Sequence, residues 1–199
     1  ALNVLPIELS VTKARMLSAD IPEKQKWVNL QEISTNQVFM KISAKARENQ
    51  ITGRRTTILK GHQALEHRKE NQAKDSLVNK QELMKEKLTV TNLKLTDKED
   101  DFTTIQEEFD FVLEAEKLDD HIYINPILFP QLTKTPFIQS ERILPVEFPY
   151  PSKVTLSCAL TLPEGYEVEE IPHTQVIKTE DGKLQCKYAI QRNRNNVIV

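Results

Sequence analysis

The sequence predicts an α+β chain dominated by antiparallel strands, in sandwich-like sheets with one helical segment near 61–87. Three observations carry this. Period-two alternation of apolar and polar residues recurs in several stretches, above all at 105–116 and 154–162. Turn signals separate them, including Pro163-Glu164-Gly165 and the Asp181-Gly182 step. A long run rich in helix-favouring residues occupies one region, 61–87.

Taken in order, residues 1–25 are irregular by pattern: Leu2, Val4, Leu5, Ile7 and Leu9 precede a polar stretch that ends in Ile21-Pro22-Glu23. They read as a strap on the body or the tail of a preceding domain. "KWVNLQ" (26–31) is a short strand. Val38, Met40 and Ile42 alternate with Phe39 and Lys41, and "TGRRTTILK" (52–60) reads as the hairpin partner, joined around Asn49-Gln50. "GHQALEHRKENQ" (61–72) and "SLVNKQELMKEKL" (76–88) form one broken helical segment. Asp75 or Ser76 is available as an N-cap for its second half. "TVTNLKLT" (89–96) returns to an extended pattern.

The clearest strand follows. Ile105, Phe109, Phe111, Leu113 and Ala115 share odd positions, and Gln106, Glu108, Asp110, Glu114 and Glu116 share even ones. That is one face in a core and one in water. "HIYINPILF" (121–129) is expected to hold a more buried strand that ends at Pro126, with Tyr123 in its core. Prolines crowd 130–151, which makes that stretch an edge or a crossover, with a possible sub-boundary near 130–150. Val154, Leu156, Cys158, Leu160 and Leu162 then define another strand. "YEVEEI" (166–171) is expected as a short strand with Tyr166 and Val168 inward and glutamates in water. Residues 175–191 form a hairpin over Glu180-Asp181-Gly182, with Leu184, Cys186, Tyr188 and Ile190 inward, and "NNVIV" (195–199) is a final strand.

Composition excludes some function classes. The chain has 199 residues, 28% of them charged, with a net charge of -2, so it lacks the basic excess of a nucleic-acid binder. No run approaches the ~20 apolar residues of a membrane span. It begins at Ala1 rather than Met and carries no signal pattern, so it reads as processed or excised from a longer chain.

The reactive residue types are sparse. Cys158 with His173 would make a thiol–imidazole pair, but Cys158 falls mid-strand on the apolar face, where a thiol is structural. Cys158 and Cys186 either form one disulfide, which would contribute about 3–4 kcal/mol by loop entropy, or both stay free. His62, His67, His121 and His173 have no metal-ligand spacing and read as solvated. The acids of 97–120 lack the calcium-loop pattern and its glycine, and read as the wet side of a strand. Arg54 and Arg55 read as an ordinary solvated face, or as a dock for an acidic partner. Trp27 and Tyr150 remain as a candidate sugar- or peptide-stacking pair. No GxGxxG, Walker A or GxSxG motif is present. No catalytic, cofactor-binding or metal site is therefore assigned, and no cofactor is implied.

Ile124-Asn125-Pro126, Tyr150-Pro151, Pro163-Glu164-Gly165-Tyr166 and Glu170-Ile171-Pro172 occur in an order that carries a resemblance. From about 120 to 199 the chain resembles the C-terminal β-rich domain of unknown function in secreted bacterial transglutaminase-like proteins, a group also described as cysteine proteases. Gly61, Ala64 and Arg68 in "ILKGHQALEHRKE" are similar to that group's strand-then-helix. The resemblance implies that residues 1–25 leave an upstream catalytic core and that 26–199 form a β-rich accessory domain. The group's catalytic Cys, His and Asp have no counterparts here. It also implies a non-catalytic module that packs against or positions that core in the same parent chain, exported to the periplasm or cell envelope. A carbohydrate- or peptide-binding β-sandwich is the alternative.

Overall fold

The structure is a computed structural model that describes residues 5, 9, 13–17, 21, 25–30, 36–73, 87–97, 103–130, 148, 150–193 and 195–199. Among the described residues it is mostly strand, with a helix of twelve residues, and so has the expected α+β character.

A seven-stranded sheet dominates. Its strands are β3 (Asn36–Ala46), β4 (Gln50–Gly61), β5 (Leu88–Asp97), β6 (Thr104–Glu114), β9 (Lys153–Thr161), β12 (Gln191–Asn193) and β13 (Asn196–Ile198), in the order β12-β13-β9-β3-β4-β6-β5. Every neighbouring pair is antiparallel except β3 and β9, which run parallel. A parallel pair needs a long crossover, and here the chain leaves β3 through β4, β5 and β6 before it returns as β9. The sheet thus unites strands from both sides of the proline-rich stretch. Residues 131–147, which hold most of that stretch, lie outside the described residues, as do 74–86 of the expected helical segment. Helix α1 is His62–Ala73.

Among the described residues three two-stranded ribbons accompany it: β1 (Lys13–Met16) with β2 (Lys26–Asn29), β7 (Glu116–Leu118) with β8 (His121–Tyr123), and β10 (Gln175–Lys178) with β11 (Gln185–Tyr188). The N-terminal stretch expected to be irregular therefore contains a strand. Lys13–Met16 has no hydrophobic period of its own; its structure comes from pairing with β2, which lies within the strand predicted at 26–31.

Parity explains the core. On β3 the even residues Val38, Met40, Ile42, Ala44 and Ala46 are all buried. Register then fixes which residues of the neighbours share that face. Across the sheet lie the rows Leu156–Met40–Thr57–Glu107, Cys158–Ile42–Arg55–Phe109 and Leu160–Ala44–Gly53–Phe111–Val90. Gly53 is required by close approach. A Cβ there would meet the Ser43 carbonyl oxygen at 2.5 Å and Ala44 Cα at 2.8 Å, both backbone atoms of the paired strand. The ring of Phe111 lies directly across from the missing side chain.

Irregular chain packs against this face. Ile124, Leu128 and Phe129 from one segment and Leu162, Val168 and Ile171 from another lie against the buried cluster. A second broad sheet opposite the first is not among the described residues. Three expectations change here. The strand stops at Tyr123, so residues 124–126 are not strand, and Tyr123 is 59% exposed on β8 rather than in a core. Residues 166–171 are not strand either, although Val168 and Ile171 do pack inward and the glutamates do face water. The turn before them forms as expected, with Gly165 at φ 82° in the left-handed region that favours glycine. Finally, Leu184 and Cys186 are exposed, because β10–β11 stands off the large sheet as its own ribbon.

Candidate functional site

The chemically richest place in the fold lies on the core face, between β4, β6 and α1. Arg55 stands in the row between Ile42 and Phe109. Glu107 stands one row over, opposite Thr57. Both are odd-numbered on strands whose odd residues face inward, so strand geometry delivers an arginine and a glutamate into an apolar layer. Each side chain is only 14% exposed.

The two satisfy each other. Arg55 Nη2 donates to Glu107 Oε1 at 2.7 Å, and Arg55 Nε donates to Thr57 Oγ1 at 2.9 Å. The guanidinium lies over two aromatic rings, 4.6 Å from the centroid of Phe109 and 5.1 Å from that of Phe129. Arginine suits this position because its planar, weakly hydrated cation stacks on rings while its edge binds a carboxylate. The second oxygen of Glu107 faces the helix, where His67 Nε2 lies 3.5 Å from Oε2. Burial by itself would raise the carboxylate pKa, but the His67 hydrogen bond and the Arg55 charge outweigh it and hold Glu107 below its ordinary range. Burial lowers the pKa of Arg55, against the pull of Glu107.

A second tether reinforces the helix. Arg68 grips Asp97 through Nε at 2.8 Å and Nη2 at 2.6 Å, and Nη2 also reaches the Thr104 carbonyl at 3.1 Å. Arg55, Glu107, His67 and Arg68 thus fasten α1 across β4, β6 and the end of β5. Both Glu107 oxygens are engaged, and the arrangement holds elements together rather than presenting a base to a substrate.

Two sequence expectations are corrected by this cluster. Arg54 is exposed, bound to Asp110 at 2.7 Å on the wet face, but its neighbour Arg55 is buried. The acids of β6 are not all solvated either: Glu108 and Asp110 face outward toward Arg54, whereas Glu107 faces inward. The histidines also divide. His62 is 1% exposed and His67 largely buried, so neither is a solvated surface residue; His121 is exposed and lies 3.2 Å from Glu169.

Cys158 is fully buried on β9, and burial pushes its thiol pKa up to about 11. It is therefore protonated at neutral pH, the opposite of an activated nucleophile. His173 is exposed in irregular chain. Cys186 is exposed on β11, and both cysteines are free thiols, which settles the open choice about pairing. Trp27 is 68% exposed on β2. Tyr150 is half-buried, with one face against the His62 ring at 4.3 Å and its hydroxyl donating to Glu66 at 3.2 Å. Among the described residues no group of three His, Cys, Asp or Glu side chains is placed to hold a metal ion. Among them, too, no helix is long and apolar enough to cross a membrane.

Glu107 is the residue that reading the sequence missed. Its signal was its odd number in a strand whose odd residues are apolar. Searches of curated proteins and of solved structures give no match to the chain. Residues 120–199, which contain β8 to β13, match a family described as a domain of unknown function with solved structure, DUF3858.

Proposed function

We propose that this chain is a non-catalytic accessory module that packs against or positions an upstream transglutaminase-like core in the same parent chain, exported to the periplasm or cell envelope. The resemblance of residues 120–199 supplies the context. The observation that carries the reading is a set of large apolar side chains left in water before the main sheet begins. Leu9 is 54% exposed, Met16 41%, Leu17 72% and Trp27 68%. Met16 and Trp27 lie on the β1–β2 ribbon, one on each face, and Leu17 directly follows β1. A ribbon that carries large apolar side chains in water on both faces is suited to being covered by another surface, and this part of the chain is the one expected to leave the core. The buried, protonated thiol of Cys158 supports a role without chemistry of its own. A sandwich-like closure belongs to the same proposal, with the seven-stranded sheet as one layer and the chain at 124–129 and 162–171 packed across it.

Trp27 is the only tryptophan, which gives a direct test. With 5-fluorotryptophan incorporated, the chain has a single fluorine resonance. Adding the separately produced upstream core is expected to shift or broaden it, and the chain alone is expected to show no peptidase, amidase or transamidase activity. An unchanged resonance at excess core would count against the docking surface. Robust activity that disappears in Cys158→Ala would overturn the non-catalytic reading.

A further inference from the structure

Four strand ends meet at one corner of the large sheet. Asn36 at the start of β3 faces Gly61 at the end of β4. The Gly61 N–H donates to the Thr103 carbonyl at 2.8 Å, which brings in the start of β6. Gln37 pairs with Lys153, which brings in the start of β9. Helix α1 begins here too, and Asn36 Oδ1 accepts the Gln63 N–H at 3.0 Å, capping the helix from another strand. His62, the first helical residue, fills the corner and is 1% exposed. Its ring lies parallel to that of Tyr150, with centroids 4.3 Å apart and planes 3° from parallel. Tyr150 stands just before β9, and its hydroxyl reaches Glu66 one turn along the helix. One side chain is thus tied to α1 at two points where the chain turns into β9.

We infer that the His62–Tyr150 stack is an acid-released latch: it pins the start of β9 to α1 while His62 is neutral and loosens when His62 takes a proton. A charged imidazole in this corner would lose its hydration. Burial holds the His62 pKa below its ordinary 6.5, with Glu66 pulling it up and Lys69 pushing it down. The helix packs on β3 and β4 and is tied to β6 and the end of β5 as well; there Glu107 is paired with Arg55 and His67, and Asp97 with Arg68. On β3 and β4 Asn36 is neutral, and Lys60 lies over the Phe39 ring, at a position of opposite parity to buried Leu59. Tyr150 is pushed up to about 12, first by burial and then by Glu66, and stays protonated throughout. His62 is therefore the member of the stack that changes charge in mildly acidic solution.

The direction follows from linkage. The unfolded or opened chain protonates His62 more readily than the closed one. Stability from the neutral ring is complete above 6.5 and is lost as pH falls below it. With an opened-state pKa of 6.5, the effect on opening at pH 5.0 is bounded at about 30-fold.

Hydrogen exchange of the full chain at pH 7.5 and 5.0, corrected for intrinsic rates, tests this. Protection at 153–157 is expected to fall in acid by up to about 30-fold while that at 105–111 changes less. In His62→Phe, which stacks but cannot titrate, the acid response at 153–157 is expected to vanish. No acid loss in the native chain, or an equal loss in His62→Phe, would overturn the latch. Should that variant fail to fold, the His62 ring is titrated by NMR in the native chain. Its midpoint must match that of the amide shifts at 153–157, and separate midpoints would overturn the inference.

Discussion

Glu107→Ala is expected to lower the free energy of unfolding by about 3–5 kcal/mol, toward the lower figure because the pair retains some solvent contact. The size comes from what remains rather than from what is removed. Without the carboxylate, Arg55 keeps its charge in an apolar row between Ile42 and Phe109, with only Thr57 and two aromatic faces to replace water. His67 loses its contact with Glu107 at the same time. Glu107→Gln should cost less, since an amide oxygen still accepts from Arg55. The double variant Arg55→Met/Glu107→Leu should fall near the native stability, because no unpaired charge is left and the apolar layer is continuous. Urea midpoints for the four proteins read this cycle directly. A Glu107→Ala loss under about 1 kcal/mol would mean the site is wetter than its burial implies. The sign with pH is also fixed. Glu107 is held below its ordinary pKa of 4.5 in the folded chain, so its stabilisation is full above that value and is lost as pH falls through the folded value. The alanine variant should therefore be less sensitive to acid than the native chain.

Phe111→Ala is expected to cost about 3–5 kcal/mol by the usual large-to-small penalty for a buried aromatic. Phe111 is 2% exposed and stands opposite Gly53, which has no side chain to relax into the space. Collapse is further blocked because the β3 backbone already touches Gly53. The ring also meets Phe129 edge-on, with centroids 5.0 Å apart. Phe129 lies in irregular chain and is held by Phe109, Phe111 and the Arg55 guanidinium. Losing one of these partners should loosen residues 124–129 as well as the sheet. Denaturant unfolding gives the first effect and local hydrogen exchange the second. A loss below about 1.5 kcal/mol would mean that the neighbours can close the cavity.

The strands that form the large sheet were mostly legible, because alternation is a local property and survives without knowledge of partners. The 38–42 and 52–60 pairing, the 105–115 strand and the 154–162 strand all appear near their expected limits. What alternation cannot say is which surface a strand's apolar face will meet. Residues 184–190 alternate like a core strand, yet β10–β11 pairs only with itself and leaves Leu184 and Cys186 in water. Residues 166–171 alternate too, but among the described residues no strand lies beside them to complete a ladder. The helix was legible by composition rather than by an apolar stripe, and its docking depends on His67 and Arg68 finding acids on other elements. The Arg55–Glu107 pair was half legible. Parity marked Glu107 as facing the core, but its partner lies 52 residues away and is revealed only by the register of β4 on β6.

Titration of the native thiols with a chromogenic disulfide reagent bears most directly on the reading of this chain as a module without a reactive centre. Cys186 is exposed, and Cys158 is buried with its pKa raised to about 11. One thiol should react promptly, none should do so in Cys186→Ser, and the second should appear only when denaturant opens the sheet. Prompt reaction of Cys158 in the folded Cys186→Ser protein would contradict it.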